Sequence, residues 1–252
     1  HLSQGRLIVG TGRGSAFNEY EYLGFGITLK DGREMLPEAE ELLVKAWTGK
    51  NIQHEGRFWK AAFPALRPQP YQKPHPPLVR ACFTEDSLVE MATIGRPLLI
   101  GIQTVATLRR LLQLYSNSML NAGFNEKAVD DALEQTWAQR ALYIGESEQE
   151  ALEVAATALA KFREHLLQAR IKYNPQGVPP KLPGQIPPAT EDVETAFLAG
   201  TPRRVAEQVA ELKDAGVRNL LINMNVGQMP RKQVERSMRA FGEKVLPAFQ
   251  GS

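Results

Sequence analysis

Short apolar runs alternate with helical segments along most of this 252-residue chain, and this alternation constrains the fold more than any other feature of the sequence. Each run is bounded by glycine, proline or polar residues and is rich in leucine, isoleucine or valine, which is typical of a buried strand. Strands that alternate with helices predict an α/β fold with parallel strands joined by helical crossovers. The predicted strands are Arg6–Gly12, Leu78–Phe83, Pro97–Gly101, Gln139–Gly145 and Asn219–Asn223.

The helical segments carry recognisable start and stop signals. Ser147 and Glu150 have the spacing of a capping box before a long alanine- and leucine-rich helix. Thr201 and Pro202 begin another helix, which Gly216 ends. The remaining helices are predicted at Leu36–Trp47, after a polar loop, and at Thr84–Gly95, Val105–Ala122 and Arg231–Val245.

Two stretches contain too many prolines for regular helix. Asn51–Pro77 is predicted to be extended, because residues before proline avoid the α region. Ile171–Ala189 holds six prolines and two glycines and is predicted to be a long irregular loop, of the kind that serves as an active-site lid or is left mobile. No linker or internal repeat interrupts the pattern, so we expect a single domain over residues 1–252.

Charge and cysteine content restrict the class of protein. Lys and Arg number 30 against 28 Asp and Glu, a net charge of +2, which gives no electrostatic case for binding nucleic acid or an anionic membrane. The single cysteine, Cys82, excludes an internal disulfide framework and fits a reducing compartment. No apolar run approaches the ~18 residues of a membrane span, and the polar opening HLSQGR does not resemble a signal peptide. We therefore expect a cytoplasmic protein.

Three glycines at alternate positions, Gly10, Gly12 and Gly14, follow the first predicted strand, and Arg13 lies between the last two. Glycine lets the backbone turn sharply and approach a ligand closely, and successive N–H groups there can bind an anion. The guanidinium of Arg13 suits a phosphate. The alternative is a tight turn whose arginine pairs with a nearby acid, and the glycines alone do not decide between the two.

Other enzyme classes are disfavoured. A Rossmann fingerprint needs its third glycine three residues after the second, whereas Gly14 comes two residues after Gly12. No second strand ending in an acidic residue follows about 20 residues later. Metal-dependent hydrolysis is disfavoured because no His, Cys, Asp and Glu set has ligand spacing. A serine hydrolase is disfavoured because Ser15 lacks the Gly-x-Ser-x-Gly elbow.

A second pair of polar residues follows the second predicted strand. Thr84 and Ser87 come after Phe83 at a predicted helix start, where free N–H groups and the helix dipole favour an anion. The commoner use of such residues is to cap their own helix. The sequence is compatible with both roles.

These segments carry a family resemblance. LSQGRLIVGTGRG, HEGRFW, QKPHPP, GRPLLIG and GTPRRVAEQVAELKDAGVRNLLI occur in order and together resemble the bacterial-luciferase-like flavin-dependent monooxygenases. The resemblance implies a TIM-barrel-like (β/α)8 family fold that holds reduced FMN, or F420 in some members. It also implies oxidation of a small organic substrate with O2, a flavin reductase as partner, and a homo- or hetero-oligomer. The cofactor-binding residues that it implies are Gly12, Arg13, Gly14, Ser15, Phe83, Thr84 and Ser87, and it implies no catalytic residue.

The resemblance also implies that part of the family fold is absent. HLSQGR is similar to the end of the third family helix, so the first three βα units are missing and a partial barrel of about five parallel strands is expected. We expect the sequence to be part of a longer polypeptide. The alternatives are a companion fragment or second copy that covers the exposed strand edges, or a shortened relative. In function, the alternatives are a non-catalytic flavin-binding or scaffold fragment and an F420-dependent dehydrogenase of the same superfamily.

Overall fold

The computed structural model describes residues 2–15, 17–178 and 192–249, and these fall into two compact units. The first unit holds the described residues of His1–Arg80 and Ala169–Pro180. The second holds those of Ala81–Gln168 and Lys181–Ser252. Among the helices of these residues, none is both long and apolar enough to cross a membrane.

Each of the five predicted strands is present. The strands are β1 (Val9–Thr11), β2 (Ile52–Glu55), β3 (Lys60–Phe63), β4 (Leu78–Cys82), β5 (Leu98–Ile100), β6 (Trp137–Ile144), β7 (Phe197–Gly200) and β8 (Asn219–Asn223). The sequence did not predict β2, β3 and β7. Of these, β2 and β3 form an antiparallel hairpin within the proline-rich stretch, so the extended conformation predicted there is correct but the pairing was missed.

The predicted helices are present with corrected bounds. The helices are α1 (Glu19–Gly24), α2 (Leu29–Thr48), α3 (Glu85–Thr93), α4 (Val105–Asn121), α5 (Glu126–Leu133), α6 (Glu148–Tyr173), α7 (Val193–Ala196), α8 (Pro202–Asp214) and α9 (Arg231–Lys244), followed by a 3-10 helix at Leu246–Phe249. The sequence did not predict α1, α5 and α7. The prediction that a helix begins at Leu36 is wrong by seven residues, because Thr28 and Asp31 form a reciprocal capping box that starts α2 at Leu29.

The predicted start of the irregular loop Ile171–Ala189 is too early. Its first three residues are helical, because α6 continues to Tyr173. Residues 174–178 are irregular, as predicted, and residues 179–189 lie outside the described part of the chain. The lid function of this loop stays a prediction.

In the first unit, a buried ion pair fixes the start of the sheet. β1 pairs in parallel with β4, with Thr11 opposite Arg80. Glu40 of α2 is 4% exposed as a residue, and its carboxylate accepts hydrogen bonds from Nε and Nη2 of Arg80, at 2.7 and 2.6 Å. The hydroxyl of Thr11 donates to the same carboxylate. These contacts hold α2 against both β1 and β4, and the contact with β1 is at Thr11, the residue directly before Gly12.

The β2–β3 hairpin is held by a second carboxylate of α2, that of Glu38. It accepts backbone hydrogen bonds from Arg57, Phe58 and Trp59 at 2.7–3.2 Å, and His54 Nε2 lies 3.4 Å away. Burial alone would raise the pKa of Glu38, but the N–H groups of Trp59 and Phe58 and the other hydrogen bonds outweigh it and lower the pKa. The ionised carboxylate therefore stabilises the turn of the hairpin.

Acidification is expected to release this turn. A carboxyl group whose pKa is lowered on folding contributes stability above its unfolded pKa, about 4.3 for glutamate, and loses that contribution as the pH falls through the lowered folded pKa. We therefore expect a fluorescence change of Trp59, which is 38% exposed, below about pH 4. The Glu38→Gln variant should lack this transition, and a transition of equal size in the variant would contradict the assignment.

The second unit is built around β6. This strand pairs in parallel with β5, β7 and β8, with Ala138 opposite both Ile100 and Leu220. Its apolar core includes the fully buried side chains Leu98, Leu108, Leu142, Val205 and Leu212, which come from β5, α4, β6 and α8. The predicted α/β class with parallel strands and helical crossovers is confirmed.

Candidate functional site

The arginine turn, Gly12–Ser15, directly follows β1 in the first unit. Thr11, the last residue of the strand, is fixed by Glu40, so the turn starts from an anchored point. Gly14 has φ +88°, a left-handed conformation that side chains rarely adopt, so the chain reverses there at a position that favours glycine. Arg13 is half-buried between two exposed glycines.

The guanidinium of Arg13 has no acidic partner among the residues that the structure describes. No hydrogen bond or ion pair of this guanidinium to a side chain occurs within residues 2–15, 17–178 and 192–249, whereas Arg80, close by in the same unit, is paired with Glu40. The sequence left open whether Arg13 pairs with an acid or serves a phosphate. The absence of a carboxylate partner in the described part favours the second role, because a half-buried cation gains most from an anion that it can bind through several donors.

The backbone of Arg13 is held from within the first unit. Tyr22 of α1 is 5% exposed, and its hydroxyl donates to the Arg13 carbonyl at 2.5 Å. A Cβ atom on Gly14 would lie 3.2 Å from the same hydroxyl oxygen. Gly14 therefore makes room for a tyrosine of the chain itself, which the sequence did not indicate.

The hydroxyl turn, Phe83–Ser87, follows β4 and begins α3 in the second unit. Thr84 Oγ1 accepts from the Ser87 N–H at 3.1 Å, and Ser87 Oγ accepts from the Thr84 N–H at 3.3 Å. The capping role that the sequence offered as an alternative is therefore present. Phe83, directly before the cap, is 48% exposed.

The two hydroxyl groups of this turn differ in whether their hydrogen is already donated to an acceptor. Ser87 Oγ donates its hydrogen to the Thr84 carbonyl at 2.8 Å. In the described residues, the hydroxyl hydrogen of Thr84 has no acceptor. Glu85 and Asp86 in the first turn already complement the helix dipole. Thr84 is thus the better candidate of the pair for a phosphate oxygen, and the hydroxyl turn as a whole is a weaker candidate for an anion site than the arginine turn.

Two further residues of the first unit were missed from the sequence. Tyr22 lies in a segment that was predicted to be a polar loop, and Asn174 lies at the end of α6. Asn174 is 8% exposed, and its amide donates to the Phe17 carbonyl at 2.9 Å and accepts from the Tyr20 N–H at 3.1 Å. No local signal marks either residue. Tyr22 bonds to Arg13 in the turn before its helix, and Asn174 bonds to Phe17 and Tyr20, which are far away in the sequence.

The chain is similar to known proteins over most of its length. A family model described as luciferase-like monooxygenase matches residues 1–219. The uncharacterized protein y4wF of Sinorhizobium fredii (strain NBRC 101917 / NGR234) is 30% identical over 234 residues, which cover 91% of this chain and 65% of that protein. The oxygenase component of the flavin-dependent trigonelline monooxygenase of Acinetobacter baylyi is 34% identical over 77 residues, 31% of this chain and 21% of that protein. The chain thus spans less than two thirds of the length of y4wF.

Solved structures share the fold. Monooxygenase RslO1 from Streptomyces bottropensis has a TM-score of 0.75 at 25% identity, over 98% of this chain and 70% of that one. The oxygenating constituent of 3,6-diketocamphane monooxygenase of Pseudomonas putida, in complex with FMN, has a TM-score of 0.68 at 17% identity, over 97% and 71%. An F420-dependent secondary alcohol dehydrogenase in complex with an F420–acetone adduct has a TM-score of 0.67 at 16% identity, over 98% of this chain and 70% of that one. The last two likenesses concern the fold alone.

Proposed function

We propose, from the premise that this chain belongs to the luciferase-like monooxygenase family, that it binds reduced FMN and takes part in the oxygenation of a small organic substrate by O2. The observation that carries the proposal is the arginine turn, in which the Arg13 guanidinium follows a parallel strand and meets no carboxylate among the described residues. The similarity to RslO1 and to the trigonelline oxygenase component supports a monooxygenase. A flavin reductase is the partner that such a component needs for reduced cofactor.

Each of the two turns, taken by itself, is chemically suited to part of FMN. Arg13, with the backbone of Gly12, Gly14 and Ser15, would hold the phosphate through charge and N–H groups. The hydroxyl of Thr84 has a hydrogen left for an acceptor, while Ser87 and Phe83 would contribute as cap and apolar surface. Reduced flavin, when bound, supplies the electrons that activate O2. The protein binds the cofactor, orients it and limits the access of water.

The test is the affinity of the full chain for FMN. Arg13→Ala removes a charge-assisted hydrogen-bond donor worth about 1.5–3 kcal/mol, so we expect binding of FMN, reduced anaerobically, to weaken roughly ten- to a hundredfold. Thr84→Ala is expected to weaken it less. Arg6→Ala is the control, because Arg6 is exposed and donates only to the nearby Ser3 carbonyl among the described contacts. Equal affinities of the Arg13 and Arg6 variants would overturn the proposed phosphate anchor.

An F420-dependent dehydrogenase is the second candidate. The F420-dependent alcohol dehydrogenase and the FMN-bound oxygenating constituent resemble this chain equally well in fold, with TM-scores of 0.67 and 0.68. Parallel titrations with FMN and F420 decide between them. Tight binding of F420 with no measurable binding of reduced FMN would favour the dehydrogenase, and turnover with neither would favour a non-catalytic flavin-binding fragment.

A further inference from the structure

Tyr22 sits in a slot made by two glycines of the first unit. Its ring passes between Gly14 of the arginine turn and Gly32 of α2. A Cβ atom on Gly32 would lie 2.4 Å from the Cε1 atom of Tyr22, and one on Gly14 would lie 3.2 Å from its hydroxyl oxygen. An alanine at position 32 is therefore incompatible with this ring position, and one at position 14 would press on the hydroxyl. The slot admits the ring in this place because Gly32 has no side chain, and the absence of a side chain at Gly14 leaves room for the hydroxyl.

The hydroxyl of Tyr22 is a constant donor. Burial raises the pKa of Tyr22 and outweighs the opposite effect of the positive charge of Arg13. The phenol therefore stays protonated at neutral pH and keeps its hydrogen bond to the Arg13 carbonyl, 2.5 Å away. Because the donor is attached to a rigid, packed ring, this contact restrains the backbone from which the guanidinium projects.

The helix that carries Tyr22 is itself anchored within the same unit. Asn174 binds the Phe17 carbonyl and the Tyr20 N–H on the N-terminal side of Tyr22. Arg170 donates through Nε to Asn18 Oδ1 at 2.9 Å. The end of α6 therefore holds α1 at its N-terminus, and α1 in turn holds the arginine turn through Tyr22.

We propose that Tyr22 is a positioning residue, which restrains the Arg13 backbone so that the guanidinium is presented to the phosphate of the cofactor. The inference rests on the proposed function, since it assigns the phosphate to Arg13. Positioning of this kind lowers the ordering cost of binding, because the arginine does not have to be fixed when the ligand arrives. The proposal predicts that the effect of removing the Tyr22 hydroxyl depends on the phosphate of the ligand and on the Arg13 side chain. A tyrosine that only stabilises the fold would show neither dependence.

Tyr22→Phe removes the hydroxyl and leaves the ring in its slot. We expect FMN binding to weaken about three- to tenfold, the effect of one lost hydrogen bond, while binding of riboflavin, which has no phosphate, stays unchanged. In an Arg13→Ala background, the same substitution should have a clearly smaller effect on FMN affinity, because only the backbone N–H groups of the turn then remain to be positioned. The matched control is Tyr115→Phe, because Tyr115 is fully buried in the second unit and its hydroxyl likewise donates to an arginine carbonyl, that of Arg96, at 2.9 Å.

The outcomes separate the two proposals. Unchanged FMN affinity in Arg13→Ala would overturn the phosphate anchor itself. Weak binding in Arg13→Ala together with unchanged binding in Tyr22→Phe would overturn the role of Tyr22 alone. Equal losses for FMN and riboflavin, or a loss equal to that of Tyr115→Phe, would show a general effect of stability and also overturn it. Gly14→Ala is a second variant that displaces the same contact, and it should lower the ratio of FMN to riboflavin affinity in the same direction.

Discussion

Replacing Glu40 by alanine is expected to lower the free energy of unfolding by about 3–5 kcal/mol. The Glu40 and Arg80 side chains are 5% and 11% exposed, so the ion pair is largely desolvated. The substitution removes the carboxylate from a buried guanidinium and from the hydroxyl of Thr11. Both groups then lose an acceptor that water cannot easily replace. Denaturation in urea, followed by circular dichroism, measures the change.

Two comparisons make this result specific. Glu41→Ala removes the neighbouring carboxylate, whose pair with Lys45 is exposed on the helix surface, so it should change stability far less than Glu40→Ala. The double variant Glu40→Ala, Arg80→Met should recover part of the loss, because it also removes the buried charge. A loss in Glu40→Ala no larger than that of Glu41→Ala would contradict the assignment. Because Thr11 directly precedes the arginine turn, we also expect Glu40→Ala to weaken FMN binding.

Gly227→Ala is expected to cost roughly 2–6 kcal/mol, from a left-handed backbone and from overpacking, each worth about 1–3 kcal/mol. Gly227 lies between β8 and α9 with φ +59°. A Cβ atom there would lie 1.9 Å from the Ala158 carbonyl oxygen and 2.8 Å from the Cα atom of the same residue in α6. The obstacle is backbone of a long helix, which cannot rotate away as a side chain can. Thermal unfolding of the variant measures the loss.

Gly242→Ala is the control for this prediction. Gly242 lies inside α9 and a Cβ atom on it would meet nothing within 4 Å. Alanine has the higher helix propensity, so this variant should be neutral or more stable by up to about 1 kcal/mol. The same chemical change is thus expected to have opposite effects at two glycines of neighbouring segments. A Gly227→Ala variant as stable as the parent would show that α6 and the β8–α9 segment do not pack as described.

The local elements could be predicted wherever the controlling signal lies within a few residues. The Thr201 cap with Pro202 after it, and the Thr84 cap with Ser87, are local patterns, and α8 and α3 begin where they predict. The start of α2 was missed because its Thr28–Asp31 capping box lies before Leu36, where the apolar pattern that was used begins. β2 and β3 were missed because their pairing is supported by Glu38, a residue of another element.

For the candidate site, the residue types could be read from the chain but their roles could not. The glycines around Arg13 suggested close approach of a ligand, whereas the structure shows that Gly14 also accommodates Tyr22. Whether Arg13 pairs with an acid could not be decided in advance, because that depends on which carboxylates the fold brings near. Among the described residues the fold pairs Arg80 with the carboxylate of Glu40, and it pairs no carboxylate with Arg13.

Periodic apolar residues, caps and breakers act through neighbouring positions, and they were sufficient for the strand–helix alternation, the parallel α/β class and the two polar turns after β1 and β4. Only the folded chain assigns partners across long separations, as with Thr11 and Arg80, which meet Glu40 from 29 and 40 positions away. Such contacts depend on packing geometry, which is not encoded in any single segment. The linear sequence therefore shows that an arginine turn exists, and the three-dimensional packing decides what holds it and which arginine is paired with a carboxylate.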